Sequence, residues 1–121
     1  MALILFRLQF TEKTKRVLAD PKARVGRLEM IQGMVGELGF EFVELCRSLS
    51  TGEIIWLLRG SADNVILVQE LLERTGAYER TSAEILETVD TIRNAQRRIE
   101  GISDNFRPPD QDEIDRMLLD E

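Results

Sequence analysis

Histidine is absent from this 121-residue chain, and cysteine occurs once, as Cys46. The first absence excludes Ser-His and Cys-His catalytic pairs and any imidazole-ligated metal. The second excludes an intrachain disulfide and a thiolate-held cluster. Neither a metal nor a cofactor is expected. Lysine is scarce and confined to Lys13, Lys15 and Lys22. An enzyme made from this chain would work with carboxylates, arginines, Tyr78, Cys46 or one of those lysines. Long apolar runs are missing too. The longest apolar stretches, Met1 to Phe6 and Ile54 to Leu58, are far too short to cross a bilayer. Met1 to Phe6 is apolar, but it has no basic start or small-residue cleavage site, and Arg7 interrupts it. Neither a signal peptide nor membrane association is expected, and a cytoplasmic location follows as the default. Sixteen basic residues against twenty-two acidic ones give a net charge of −6, which argues against nucleic acid as a partner.

What is present fits one globular domain: 43% hydrophobic and 31% charged residues. Ala2 to Phe10 alternates, with Ala2, Ile4, Phe6, Leu8 and Phe10 on one face and Leu3, Leu5, Arg7 and Gln9 on the other. That is a strand. Thr11 to Ala19 reads as a polar connection with at most one helical turn. Asp20-Pro21 starts a helix that carries Val25, Leu28, Ile31, Val35 and Leu38 at helical spacing and stops at Gly39. Gly26, Gly33 and Gly36 weaken that helix by about 1 kcal/mol each relative to alanine. Strands follow at Phe40–Leu49 and Glu53–Arg59, joined by Ser50-Thr51-Gly52. Ser61 or Asp63 caps a second helix with Val65, Val68, Leu71 and Leu72, which ends near Gly76. A fourth strand is expected around Arg80–Val89, and a third helix over Thr91–Ile102 carries Ile92, Ala95, Ile99 and Ile102 in one stripe.

The order β-α-β-β-α-β predicts an α+β protein with the ferredoxin-like split βαβ topology. In that reading the first and third strands are central and parallel. Their faces Ile4, Phe6, Leu8 and Ile54, Trp56, Leu58 meet the two helices. The opposite face carries Leu3, Leu5, Ile55 and Leu57, with Arg7, Gln9 and Arg59 toward the strand ends. A face this apolar calls for a cover. A homodimer with sheets packed face to face, in the manner of a dimeric α+β barrel, would supply one. The third helix folding back would supply another.

The residues also carry a resemblance. The start L-I-L-F-R-L-Q-F-T, the stretch D-P-K-A-R before the first helix, the hairpin before E-I-I and R-G-S-A-D-N-V before the second helix are similar to GYD-domain proteins over residues 2–90. The resemblance implies a small α+β barrel with no generally assigned activity. Ser50, Thr51, Gly52 and Glu53 stand where the family has Gly-x-Tyr-Asp, and only Glu53 keeps the acidic character of the last position.

Within the body, Arg7 and Arg59 are expected as neighbours on adjacent strands. With Gln9 and Tyr78 they form a candidate site for an anionic small molecule. Pairing of the two arginines with carboxylates such as Glu84 or Glu87 is the alternative. Cys46 reads as a small core residue rather than a nucleophile, Trp56 as packing rather than a stacking platform, and Tyr78 as a loop aromatic. No convergent acid/base pair points to an enzyme.

Residues 104–121 differ from this nearly neutral body. They hold seven acidic and two basic residues, −5 of the total charge, which leaves residues 1–103 at −1. The reading is a domain over 1–103 and an acidic docking tail or short helix over 104–121. Pro108-Pro109 stops what precedes, and Asp110 caps a short helix with Glu113 in the capping-box position. Ile114, Met117 and Leu118 line one face. The run Gln111-Asp112-Glu113-Ile114-Asp115-Arg116-Met117-Leu118 resembles the S-Q-x-E-I-D-x-L-L peptide of flagellar motor switch proteins. Gln111, Glu113, Ile114, Asp115 and Leu118 match by type. The resemblance implies docking on a response-regulator receiver domain. A tail that is disordered or packs on its own dimer is the alternative. The function expected is thus a non-catalytic bacterial adaptor or regulatory protein, with a small cofactor-independent enzyme or ligand sensor as the second reading.

Overall fold

Strict alternation in the first nine-residue strand sets the architecture. A computed structural model describes residues 2–102 and 107–119, with Gln111 and Asp112 described by backbone alone. Strand β1 (Ala2–Phe10) lies at the centre of a four-stranded sheet ordered β2-β3-β1-β4, with β2 at Glu41–Arg47, β3 at Ile54–Gly60 and β4 at Tyr78–Leu86. Every pairing is antiparallel, and Leu5 stands opposite Leu57. The expected parallel arrangement of β1 and β3 is therefore corrected. The tight turn after β2 reverses the chain, so β3 runs against both of its neighbours.

Thr11 to Ala19 is more than a connection. Helix α1 (Glu12–Leu18) starts where the Thr14 amide donates to Thr11 Oγ1 at 3.2 Å, and basic Lys15 and Arg16 fall in its last turn. The helix expected from Asp20 is divided. Asp20 caps a short 3₁₀ turn over Pro21–Arg24, its carboxylate accepting from the Lys22 amide at 3.0 Å. Gly26 then takes φ +75°, and α2 runs only over Arg27–Glu37. A left-handed residue cannot sit inside an α-helix, so Val25 leaves the apolar stripe and stands exposed. Helix α3 (Val65–Arg74) follows a 3₁₀ turn in which Ser61 Oγ accepts from the Asp63 amide.

Ile4, Phe6, Leu8, Trp56 and Leu58 are buried against Ile31 and Val35 of α2 and Val65, Val68 and Leu72 of α3. Each large side chain removed from water here contributes about 1.5–3 kcal/mol. The face expected to meet the helices is the face that does. Cys46 is a correction: it is exposed and pairs with Ile55 on the opposite face. The register slips between Phe42 and Glu44, and after that bulge Leu45 and Arg47 take the helix side instead.

The sheet unit spans Met1–Leu86, and a second compact unit spans Glu87–Glu121. The expected boundary between 103 and 104 lies outside the described residues. In the second unit, α4 (Val89–Glu100) is capped by Thr88, whose Oγ1 accepts from the Thr91 amide. Its apolar residues Val89, Ile92 and Ile99 are exposed. Helix α5 (Pro109–Leu119) begins at Pro109, which suits a first helical position, so Asp110 lies inside the first turn rather than at the cap. No helix among the described residues is long and apolar enough to cross a membrane.

Candidate functional site

The face of the sheet opposite α2 and α3 is built from the odd residues of β1 and β3. Leu3, Leu5, Ile55 and Leu57 are half-buried at its centre. Arg7 pairs in register with Ile55, whereas Arg59 pairs with Leu3. Four residues of strand therefore separate the two arginines, about 13 Å. The expected neighbouring pair does not form, because antiparallel strands carry these residues to opposite ends of the face. Each arginine meets a carboxylate on the adjacent edge strand instead. Arg7 lies 3.9 Å from Glu84 on β4, and Arg59 lies 3.3 Å from Glu41 on β2. Glu87 follows the end of β4. Gln9 pairs in register with Arg80, one step beyond Arg7.

Tyr78 sits elsewhere. It opens β4, pairs with Phe10 on the helix side of the sheet and packs against the core. Its ring stacks on Phe10 with centroids 5.1 Å apart. Burial pushes its hydroxyl above the ordinary value of 10.0, and the charge of Arg27 pulls partly in the other direction.

Tyr78 belongs to a cleft that the sequence reading did not identify. One compartment, about 230 Å³, is lined mostly by apolar side chains, among them Ile31, Leu45, Trp56 and Tyr78. Arg24 and Arg27 are its charged lining residues. The second compartment, about 430 Å³, opens beside the β2–β3 turn and carries Lys15, Arg24 and Arg47. Phe10, Leu18, Arg24 and Ile54 line both, so the two lie side by side. The turn itself is ordered: the Gly52 amide donates to the Ser48 carbonyl at 2.8 Å, and Gly52 holds φ +75°. Thr51 and Gly52 face the cleft. One signal in the sequence pointed here. Residues 12–27 hold six basic and two acidic residues in a chain whose net charge is −6.

In the second unit, α5 places Ile114, Met117 and Leu118 on one face, and all three are exposed. Glu113 is exposed beside them, and Asp115 forms an ion pair with Arg107. The expected contact of the Gln111 side chain lies outside what is described. Among the described residues, no group of three or more acidic or cysteine side chains is arranged to hold a metal ion. No protein-family model matches this chain, and neither a curated protein nor a solved structure does.

Proposed function

We propose that this protein is a non-catalytic adaptor: a ferredoxin-like, GYD-like module that dimerises through the sheet face opposite α2 and α3 and offers α5 to a partner protein. One observation carries the reading. Helix α5 exposes Ile114, Met117 and Leu118 to 47%, 65% and 64%, with carboxylates on the flanking faces. An eleven-residue helix gains little from its own hydrogen bonds, so an exposed apolar stripe on it is suited to a groove on another protein. The excess of negative charge calls for basic residues at the rim of that groove. The motif resemblance makes a response-regulator receiver domain the partner to test. In the dimer, Leu3, Leu5, Ile55 and Leu57 of two copies would meet, and the order β2-β3-β1-β4 leaves this face free of α2 and α3.

Titration calorimetry with a peptide spanning Asp110 to Glu121 tests the docking. Saturable binding to a receiver domain, weakened by salt and by Ile114→Ala, is the expected result. No heat with any receiver domain, phosphorylated or not, removes the reading.

A further inference from the structure

We infer that the cleft between α1, α2 and the helix side of the sheet is a binding site for a small organic anion with a bulky apolar body. This goes beyond the adaptor reading and does not depend on it. The charge pattern is the first argument. Lys15, Arg24, Arg27 and Arg47 line the two compartments, and no aspartate or glutamate does. Acidic residues outnumber basic ones in the chain, so an all-cationic lining is contrary to its composition.

The second argument concerns pairing. Lys15 meets Glu12 at 3.3 Å along its own helix. Among the described residues, no carboxylate lies within ion-pair distance of Arg24, Arg27 or Arg47. Three guanidinium groups at one cleft repel one another, and an anion placed among them relieves that repulsion.

Shape supplies the third argument. The apolar compartment reaches the core at Ile31 and Trp56, and Leu45 on its wall keeps 42% of its surface exposed. An apolar compartment of this kind fits a ligand body of aromatic or branched-alkyl character. The cationic compartment lies alongside, so head and body separate by chemistry. Tyr78 adds a donor. No hydrogen-bond partner meets its hydroxyl among the described residues, and a phenol is protonated at neutral pH. The class is thus a carboxylate on a compact apolar frame. A bare phosphate would leave the apolar compartment empty, and a neutral hydrocarbon would leave the arginines unmatched.

Trp56 is the only tryptophan and lines the apolar compartment, so its fluorescence reports occupancy. The probe is 4-tert-butylbenzoate, with 4-tert-butylbenzamide as the neutral match and inorganic phosphate as the bare head, each titrated into the full chain. Saturable binding of the benzoate at or below about 1 mM is expected. The benzamide should bind roughly tenfold more weakly or worse, because it lacks the charge. Phosphate alone should leave Trp56 fluorescence unchanged. Arg24→Gln should weaken benzoate by a similar factor while the melting temperature holds, since Arg24 is exposed. Arg59→Gln, on the other sheet face, should change nothing. Equal affinity for benzoate and benzamide, no saturable response to benzoate, or an Arg24→Gln protein that binds as well as wild type would each overturn the site.

Discussion

Phe10 and Tyr78 stack across the β1–β4 ladder with ring centroids 5.1 Å apart and planes 23° from parallel. The pair forms just where the register shifts, between Gln9 and Phe10. Beyond it, the Thr11 amide donates to the Ala77 carbonyl at 3.0 Å and ties the strand ends together. Without the shift, the alternation would give Phe10 a different partner. With it, two aromatic rings close one end of the helix-side core and form part of the cleft wall. Such a pair contributes about 0.5–1.5 kcal/mol beyond its buried area.

Tyr78 is the only tyrosine, so its ionisation can be followed by phenolate absorption without interference. The midpoint in the folded protein should lie above 10.0, because burial disfavours the phenolate. Arg27→Gln should move it higher still, since the positive charge of Arg27 lowers it. Linkage fixes the sign of the stability effect. The folded value is raised, so the contribution is complete below the unfolded value of about 10 and is lost as pH rises through the folded one. A midpoint at or below 10.0 would show that the ring is not held in this environment.

Gly60 is the last residue of β3, and a Cβ built on it would stand 2.5 Å and 2.9 Å from two ring atoms of Phe40. It would also stand 3.0 Å from the Gly39 carbonyl oxygen. Phe40 is buried, so its ring can yield only by displacing core neighbours. Gly60→Ala should therefore cost about 1–3 kcal/mol, the usual range for overpacking, measured by denaturant unfolding. The backbone at Gly60 is ordinary, so the cost is one of contact rather than of conformation. A variant as stable as wild type would mean that Phe40 is not fixed where it is described.

The ion pairs on the sheet face opposite α2 and α3 should contribute little in the isolated chain. Arg7 and Glu84 keep 41% and 58% of their side-chain surface exposed, and Arg59 and Glu41 keep 49% and 67%. Solvent screens both pairs, so Arg7→Gln and Arg59→Gln should each change stability by less than about 1 kcal/mol. A loss of several kcal/mol on either substitution would show that the pair is buried in the protein as it exists in solution, as a covering second subunit would make it.

The strand faces were legible because alternation over Ala2–Phe10 and Ile54–Leu58 follows directly from the pleat. Gly39 at the end of α2 was legible as well, and it holds φ +88°. Strand direction was not. Ser50-Thr51-Gly52 is legible as a hairpin, yet the relative direction of β1 and β3 depends on counting reversals along the chain. A parallel pair would set Arg7 beside Arg59, and the antiparallel pair separates them. Gly26 looks in the sequence like a weak helix residue, but its φ of +75° ends one segment and begins another. The Val43 bulge in β2 is a one-residue slip and leaves no mark in composition. The cleft is not legible in the sequence for a different reason. Its cations come from α1, the 3₁₀ turn, α2 and β2, and only the fold brings them together.

Placing a charge at the centre of the sheet face opposite α2 and α3 tests the proposed dimer. Leu57 stands opposite Leu5 and is half-buried. In a face-to-face pair of sheets, Leu57→Asp would bury carboxylates without partners, which costs several kcal/mol across the interface. Sedimentation velocity should show wild-type dimers and Leu57→Asp monomers. Wild-type protein that sediments as a monomer at every concentration sinks the dimer and leaves the cleft untouched.

Removal of residues 108–121 separates a docking segment from a structural one. Of the described side chains in α5, none is buried: Ile114, Met117, Leu118 and Leu119 are exposed, and Asp115 is only partly covered beside Arg107. Tolerance to truncation follows burial and not position in the chain. The buried cluster that holds the fold together lies between Ala2 and Leu72, and no residue of α5 belongs to it. A chain ending at Arg107 should thus melt within about 2 °C of the full chain, because a shift of 4–8 °C already corresponds to about 1 kcal/mol in a domain of 60–100 residues. The same truncation should abolish capture of a receiver domain, and Glu113→Lys in the full chain should weaken capture without changing the melting temperature. A drop of ten degrees or more on truncation would assign α5 to the folded body, and its apolar stripe would then be a packing surface rather than a docking one.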